Sequence, residues 1–544
     1  MLHNLSWLQP GEPFPPERER SRLERYKQNE ALFEGEHFSE TITYDTWGGI
    51  PYSVPKGIKM YKECAERISR VIGNFEDVIS FPVLLNYQRL ITLKMADLVC
   101  GEYPQISGVN AFENAAIQEV RDYTNFDEKL YQAVIDISRY GEAIQRVYLD
   151  NDGRYTFTNW DPKEWFPIVS QDGTNTITHH CLCWRENRST DVTKPDWYLH
   201  VQIHGTQKED RGWYEYRVYK MNNFGGTVGK QILRERVPTG LTECAVRQLK
   251  AFSTTSTVYG YDDYWTIDSI LAEIMTRIGQ ISVILDKHAD PNITGPVTML
   301  DVDPETGEYK LKTGKFFAVS PGEEQPKYMT WEGQLSAAFQ QLELLINQLY
   351  ILSEMGAALL GSTDGGSQAV SGTAMRFKMV NPIAKARRIS NSLTLPVRML
   401  FSTLSAHAKV DPKFVKKLKE LEKEKGTAPT EELDTTLPIP YQNISVFWYD
   451  GLPDDPRENI ENAKLASGAT KMMPLENAIM EFFGRTHEEA LDWIAKIREE
   501  TGQSQEKDPN HPGPQDGTGV NPAKKGSVMG LHSSDYNNSN KGEE

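Results

Sequence analysis

The sequence predicts an α+β fold, and three observations carry that reading. Helical apolar spacing fills most of residues 20–139. From 141 to 220 the period drops to two, in segments rich in aromatic and β-branched side chains. Two long striped helices then bracket a short β-rich insert. A chain of 544 residues leaves room for about three or four domains.

The elements follow in order. Leu23, Tyr26 and Phe33 recur at helical spacing, and Gly35 stops that helix. A second helix carries Leu84, Tyr87, Ile91, Met95 and Leu98 on one face and ends at Gly101, with Pro104 beyond. A third, over 126–139, runs into strand-like sequence. AIQRVYL, RYTFTNW, TITHHCLCW, WYLHVQIHG and WYEYRVYK, separated by turns such as Asn151-Asp152-Gly153 and Asp172-Gly173, predict an antiparallel sheet with hairpins.

From 263 the helical period returns. Ile267, Ile270, Ile274, Ile278, Ile281 and Leu285 make a narrow stripe that Asp290-Pro291 ends. The β-rich insert has Asp303-Pro304-Glu305-Thr306-Gly307 as its turn. Leu335, Phe339, Leu342, Leu345, Leu349 and Leu352 then repeat close to a heptad. Seams this narrow pack helix on helix, so the pair reads as a stalk with a module at its tip. Neighbouring subunits are expected to cover both stripes.

Next comes a small, polar loop, Gly361, Ser362, Thr363, Asp364, Gly365, Gly366 and Ser367. The helix at 371–410 holds Pro382 and Pro396 and is expected to be kinked or broken. It carries Arg376, Lys378, Lys385, Arg387, Arg388, Arg398 and Lys409 without one Asp or Glu. Such a one-signed surface faces either DNA or a neighbouring subunit, because solvated helix faces are usually mixed in sign. A charged helix at 413–425 and the strand ISVFWYD follow. Asp455-Pro456 opens a helix, and the capping box Thr486-His487-Glu488-Glu489 opens another with Ala490, Trp493, Ile494 and Ile497 inward. From 501 the composition is that of a disordered tail.

Composition excludes several classes. The net charge is −17, the wrong sign for a protein that coats nucleic acid. No apolar run approaches the roughly 18 residues that span a bilayer. The first residues lack the charge pattern of a secretory signal. Five Cys at irregular spacing make no disulfide framework and point to a reducing compartment.

Three motifs invite chemistry. Gly225-Gly226-Thr227-Val228-Gly229-Lys230 imitates a phosphate loop, but Phe224 and Gln231 stand where Gly and Ser or Thr are needed, so it reads as a hairpin turn. His179, Cys181 and Cys183 share one strand face and form the best metal candidate, but small apolar Cys is common in sheet cores and no second ligand cluster accompanies them. Asp286, His288 and Asp290 place two carboxylates about a turn apart beside an imidazole, either as an ion or acid–base site or as a solvated helix end.

This order of parts resembles the portal proteins of tailed bacteriophages. LITLKMADLVCGEYPQI, FDEKLYQAVIDISRYGEAIQRVYLDNDGRYTFTNWDPKEWFPI, LDKHADPNITGP and SGTAMRFKMVNPIAKARRI are similar to the branch found in long-tailed phages, and the likeness covers about residues 20–500. It implies a portal-type fold: an N-terminal arm at 1–19, an α/β wing at 20–262, stem helices at 263–292 and 334–356, and a clip at 293–333. A tunnel loop follows at 357–371, then the kinked basic helix and a return to the wing at 372–452. A helical crown at 453–500 and a disordered tail at 501–544 complete it.

The resemblance further implies a ring of about twelve copies at one capsid vertex. The ring would be a channel for double-stranded DNA in packaging and ejection. Its implied partners are the terminase large subunit, a head–tail adaptor, and capsid and scaffolding proteins. Assembly would occur in the host cytoplasm and residence in the virion, with no membrane, cofactor, metal or catalytic residue. Two other readings stand beside it: a metal-dependent nucleic-acid enzyme, and a generic oligomeric scaffold with a helical stalk.

Overall fold

Two kinds of periodicity must be buried, and the first helices provide the platform on which the sheets rest. The computed structural model describes residues 1–37, 61, 63, 84–191, 194–206, 212–289, 293–294, 300–302, 309–311, 322, 327–328, 335–360, 377–406, 438–449, 456–467, 472–483, 485 and 487–500. The chain divides into two compact units, Met1–Pro453 and Asp454–Glu544.

In the first unit, α1 (Arg20–Glu34) closes at Gly35, whose φ of 89° a side chain would resist. α2 (Tyr87–Cys100) is opened by Asn86, whose side chain accepts from the Arg89 N–H. After β1 (Gln105–Ser107), α3 (Ala111–Thr124) is opened by Asn110 in the same way. α4 (Phe126–Tyr140) buries Leu130, Ala133, Val134 and Ile137 on one side and stops at Gly141. The backbone of Gly260 crosses there so closely that a Cβ on Gly260 would lie 1.9 Å from the Gly141 carbonyl oxygen.

The strands β2 (Glu142–Leu149), β3 (Tyr155–Trp160), β4 (Trp165–Val169), β5 (Ile177–Asn187), β6 (Trp197–Thr206), β7 (Gly212–Asn222), β8 (Thr227–Pro238) and β9 (Val246–Lys250) form two antiparallel sheets. Their orders are β3-β2-β9 and β4-β5-β6-β7-β8. One face of the five-stranded sheet buries Cys181, Cys183, Leu199, Val201 and Ile203 beneath Leu2, Trp7 and Phe14 of the N-terminal arm. The arm is fixed there by backbone bonds, Gly11 N–H to Val228 O and Phe14 N–H to Gly226 O among them. The opposite face stacks Trp184 on His200, with ring centres 5.1 Å apart, and His200 on Tyr216 at 5.9 Å.

α5 (Asp268–Ala289) is followed by short strands β10 (Ile293–Thr294), β11 (Leu300–Val302), β12 (Tyr309–Leu311) and β13 (Lys327–Tyr328). They pair antiparallel as β10 with β13 and β11 with β12. α6 (Leu335–Leu352), the single turn α7 (Gly356–Leu359) and α8 (Val380–Ser405) return to the body. There β14 (Ser445–Phe447) pairs with β1. The main core joins α2, α3, α4, the three-stranded sheet, the start of α5 and α8; Phe401 meets Phe126 edge-on at 4.8 Å inside it. The second unit holds α9 (Pro456–Ser467), α10 (Leu475–Phe483) and α11 (His487–Glu500).

Several expectations need correction. The strands make two sheets rather than one. α3 was not foreseen, since its apolar positions are interrupted by small and polar residues. Leu84 precedes α2 and is exposed. Of the two outcomes expected for the basic helix, kinked or broken, no break occurs within Val380–Ser405: α8 runs for 26 residues with Pro396 inside it. Pro382 lies in its first turn, where a missing N–H breaks no bond. Around Pro396 the buried Leu393, Val397, Leu400 and Phe401 hold the helix to the core. In α11, Ala490 is buried but Ile497 is exposed. The turn 303–307, Asp290-Pro291, the helix at 413–425, Thr486 and the tail 501–544 lie outside the described residues.

Candidate functional site

A buried ion network fixes the first turn of α5. Arg25 on α1 reaches Asp262 at 2.8 Å and Asp268 at 2.9 Å, and Asp268 stands at the helix N-terminus, where its charge complements the dipole. Burial pushes the Asp268 carboxyl up, and the Arg25 guanidinium opposes that rise. From this anchor α5 and α6 pack on each other and on the body. Ile267, Ile274, Ile281 and Leu349 are buried, and Ile270, Ile278, Leu342 and Leu345 are partly buried along the same seam.

That seam corrects the expectation that neighbours must cover both stripes, because most of the stripe is covered within one chain. What remains bare is part of the stripes themselves, Leu352 included, together with residues beside them. Phe339, Leu344 and Ile351 on α6 and Leu285 on α5 are about half exposed or more. The side chain of Leu335 lies outside the described residues.

The cations of α8 divide by the face they occupy. Lys385 is buried; its ammonium meets Asp263 at 2.7 Å and donates to the Ser353 carbonyl at 3.0 Å. Its charge is therefore committed inside the chain rather than to DNA or a neighbour. Arg388 pairs with Glu354 at 2.7 Å and lies over the Phe252 ring. Arg398 donates to the carbonyls of Ile444 and Gln442, tying the return strand to the helix. Lys378 and Arg387 are exposed, with no carboxylate partner among the described residues. Sequence reading missed Asp263, Ser353 and Glu354 as partners, because each lies more than thirty residues from the cation it meets. Arg376 and the loop Gly361 to Ser367 lie outside the described residues.

A family model described as "Phage portal protein, SPP1 Gp6-like" matches residues 18–507. The chain belongs to that family. No curated protein matches it. A portal protein of tailed phages is a structural, non-enzymatic component of the capsid, and the family implies an oligomeric ring at a vertex. No helix among the described residues is long and apolar enough to cross a membrane.

Two of the motifs that invited chemistry take structural places in this portal chain. Cys181 and Cys183 are buried in the sheet core, where burial pushes the Cys181 thiol up to about 12. His179 instead packs edge-on against Trp213 at 5.8 Å. No group of three His, Cys, Asp or Glu fit to hold a metal occurs among the described residues. Residues 223–226 turn between β7 and β8, with Phe224 and Gly225 both at positive φ, and Thr227–Lys230 already belong to β8. The side chains of Asp286, His288 and Asp290 lie outside the described residues.

Proposed function

We propose that this portal protein assembles as a ring of about twelve copies whose axial channel passes double-stranded DNA into and out of the capsid. In this reading the insert at 293–333 faces the terminase large subunit and the head–tail adaptor. Residues 357–371 lie nearest the DNA, and residues 453–500 form the crown. The observation that carries the reading is the family match over nearly the whole chain.

Physical chemistry supports it. A channel must not grip, because every neutralised phosphate adds affinity through released counterions. A chain of net charge −17, repeated around a ring, repels the duplex from most of the wall. Arg376 and Lys378, which follow the loop within two helical turns of sequence, then supply limited attraction.

Mass measurement and negative-stain imaging of the purified chain test the ring directly. A closed ring of about twelve chain masses is expected; a stable monomer at micromolar concentration overturns the proposal. The loop has its own test. Gly365→Pro with Gly366→Pro should stall packaging while rings still form. Asp364→Lys should slow translocation most at low salt, where screening is weakest. Parental packaging by both variants removes the loop from the DNA path.

A further inference from the structure

The second unit hides little of its own apolar surface. Among the described residues of 456–500, the buried apolar side chains are Ala463, Ala478, Ile479 and Ala490. Three of these are alanines, which let α9, α10 and α11 approach closely but remove little area from water. The larger groups add one ring contact, Phe483 against Trp493 at 5.8 Å, with Arg485 over the Trp493 ring at 4.9 Å.

The large aliphatic side chains lie outside. Ile460 and Leu465 on α9, Leu475 on α10, and Leu491 and Ile497 on α11 are exposed, as is Met472 just ahead of α10. Leu465 is 75 % and Met472 84 % exposed. Both flank one point in the fold, because the Met472 N–H donates to the Ala466 carbonyl at 2.9 Å.

A helical unit of roughly 45 residues is marginal even with a good core, and units of this size commonly gain stability by association. Helices that are apolar on more than one side belong in an interior. The ring that the family implies supplies one. Each copy in a closed ring has two neighbours and meets them through two different patches. A single docked partner would cover one patch and leave the rest wet. Charge does not oppose the packing: residues 456–500 carry nine carboxylates and six basic side chains, against −17 for the whole chain.

We propose that residues 456–500 are an assembly element, in which each copy packs its bare aliphatic side chains, Leu465 and Met472 foremost, against the same unit of neighbouring copies. The proposal deepens the ring reading and rests on it. In a single chain these helices are marginal, and they gain their core when the ring closes.

Photo-crosslinking of the full-length chain tests this. Benzoylphenylalanine replaces Leu465 or, in a second variant, Met472, and assembled rings are irradiated. A ladder of chain multiples on a denaturing gel is expected, with the linked peptides mapping within 456–500 of another copy. Leu465→Asn with Met472→Asn should raise the concentration at which half the chains are in rings at least tenfold. The main denaturant transition of the single chain should stay where it is. A parent that forms no rings overturns the ring reading itself. Rings without a chain-to-chain link within 456–500 at either position overturn this inference alone, as does an unchanged assembly midpoint in the double variant.

Discussion

The body and the α5–α6 pair, proposed here as the stem, cover their apolar side chains differently. In the body, Phe401, Leu130 and Phe157 are fully enclosed by helices and strands of the same chain. Along the stem each helix is enclosed on one side only: Ile274 and Leu349 are buried, whereas Leu344 and Ile351 are 59 % and 61 % exposed. A helical apolar stripe therefore announces burial without saying who provides the cover. In this molecule most of each stripe is covered within the chain, while Leu285, Phe339 and Leu352 of the stripes and Leu344 and Ile351 beside them are left for something outside it.

If the body is self-sufficient, damage there should abolish folding. Gly260→Ala drives a Cβ into the Gly141 backbone, where neither chain segment can yield. We expect a loss above about 4 kcal/mol, seen as failure to recover a cooperative denaturant transition. Phe401→Ala leaves a cavity against Phe126 and should cost about 3–5 kcal/mol in the same measurement.

Acid should find the body through its buried imidazoles. His180 accepts a hydrogen bond from Trp165 Nε1 at 3.1 Å, and burial, with His179 beside it, lowers its pKa to about 4. The unfolded chain takes up that proton near pH 6.5, so stability is full above 6.5 and falls as pH drops towards 4. The loss is on the order of 3 kcal/mol. His180→Phe should be weaker at pH 7, because Trp165 loses its acceptor, but its stability curve should be flatter between pH 6.5 and 4. An identical slope in parent and variant assigns the acid loss to other groups.

The stem should respond in the opposite sense. Leu344→Ser touches no buried contact, so unfolding of the single chain should change by less than about 0.5 kcal/mol. Ring formation, followed by mass measurement, should be lost. Intact rings would show that the bare face of α6 lies outside the subunit contact.

Local rules made much of this legible. Gly35 and Pro456 marked helix ends because a positive-φ stop and a proline start are properties of a few adjacent residues. The alternation in TITHHCLCW and WYLHVQIHG marked strands for the same reason. What stayed hidden depends on distant pairings. Nothing near 385 announces Asp263, and nothing in the alternation says that β2 and β5 belong to different sheets. The cations of α8 show the limit most clearly. Sequence counts charge, but only packing decides that Lys385 turns inward while Arg387 stays out.

The inward turn of Lys385 has a mechanical consequence. Ser353 and Glu354 stand before residues 361–376 in the chain, and Lys385 and Arg388 stand after them. The pairs Lys385–Ser353 and Arg388–Glu354 therefore staple the entry and exit of that segment to one joint. Through Asp263, just ahead of α5, the same ammonium fastens the joint to the root of the other stem helix. A displacement of either flank, at Glu354 or at Arg388, is thus received at a common footing shared by α5, α6 and α8. A load at this joint would be borne by the three helices together, with no single helix acting as its lever.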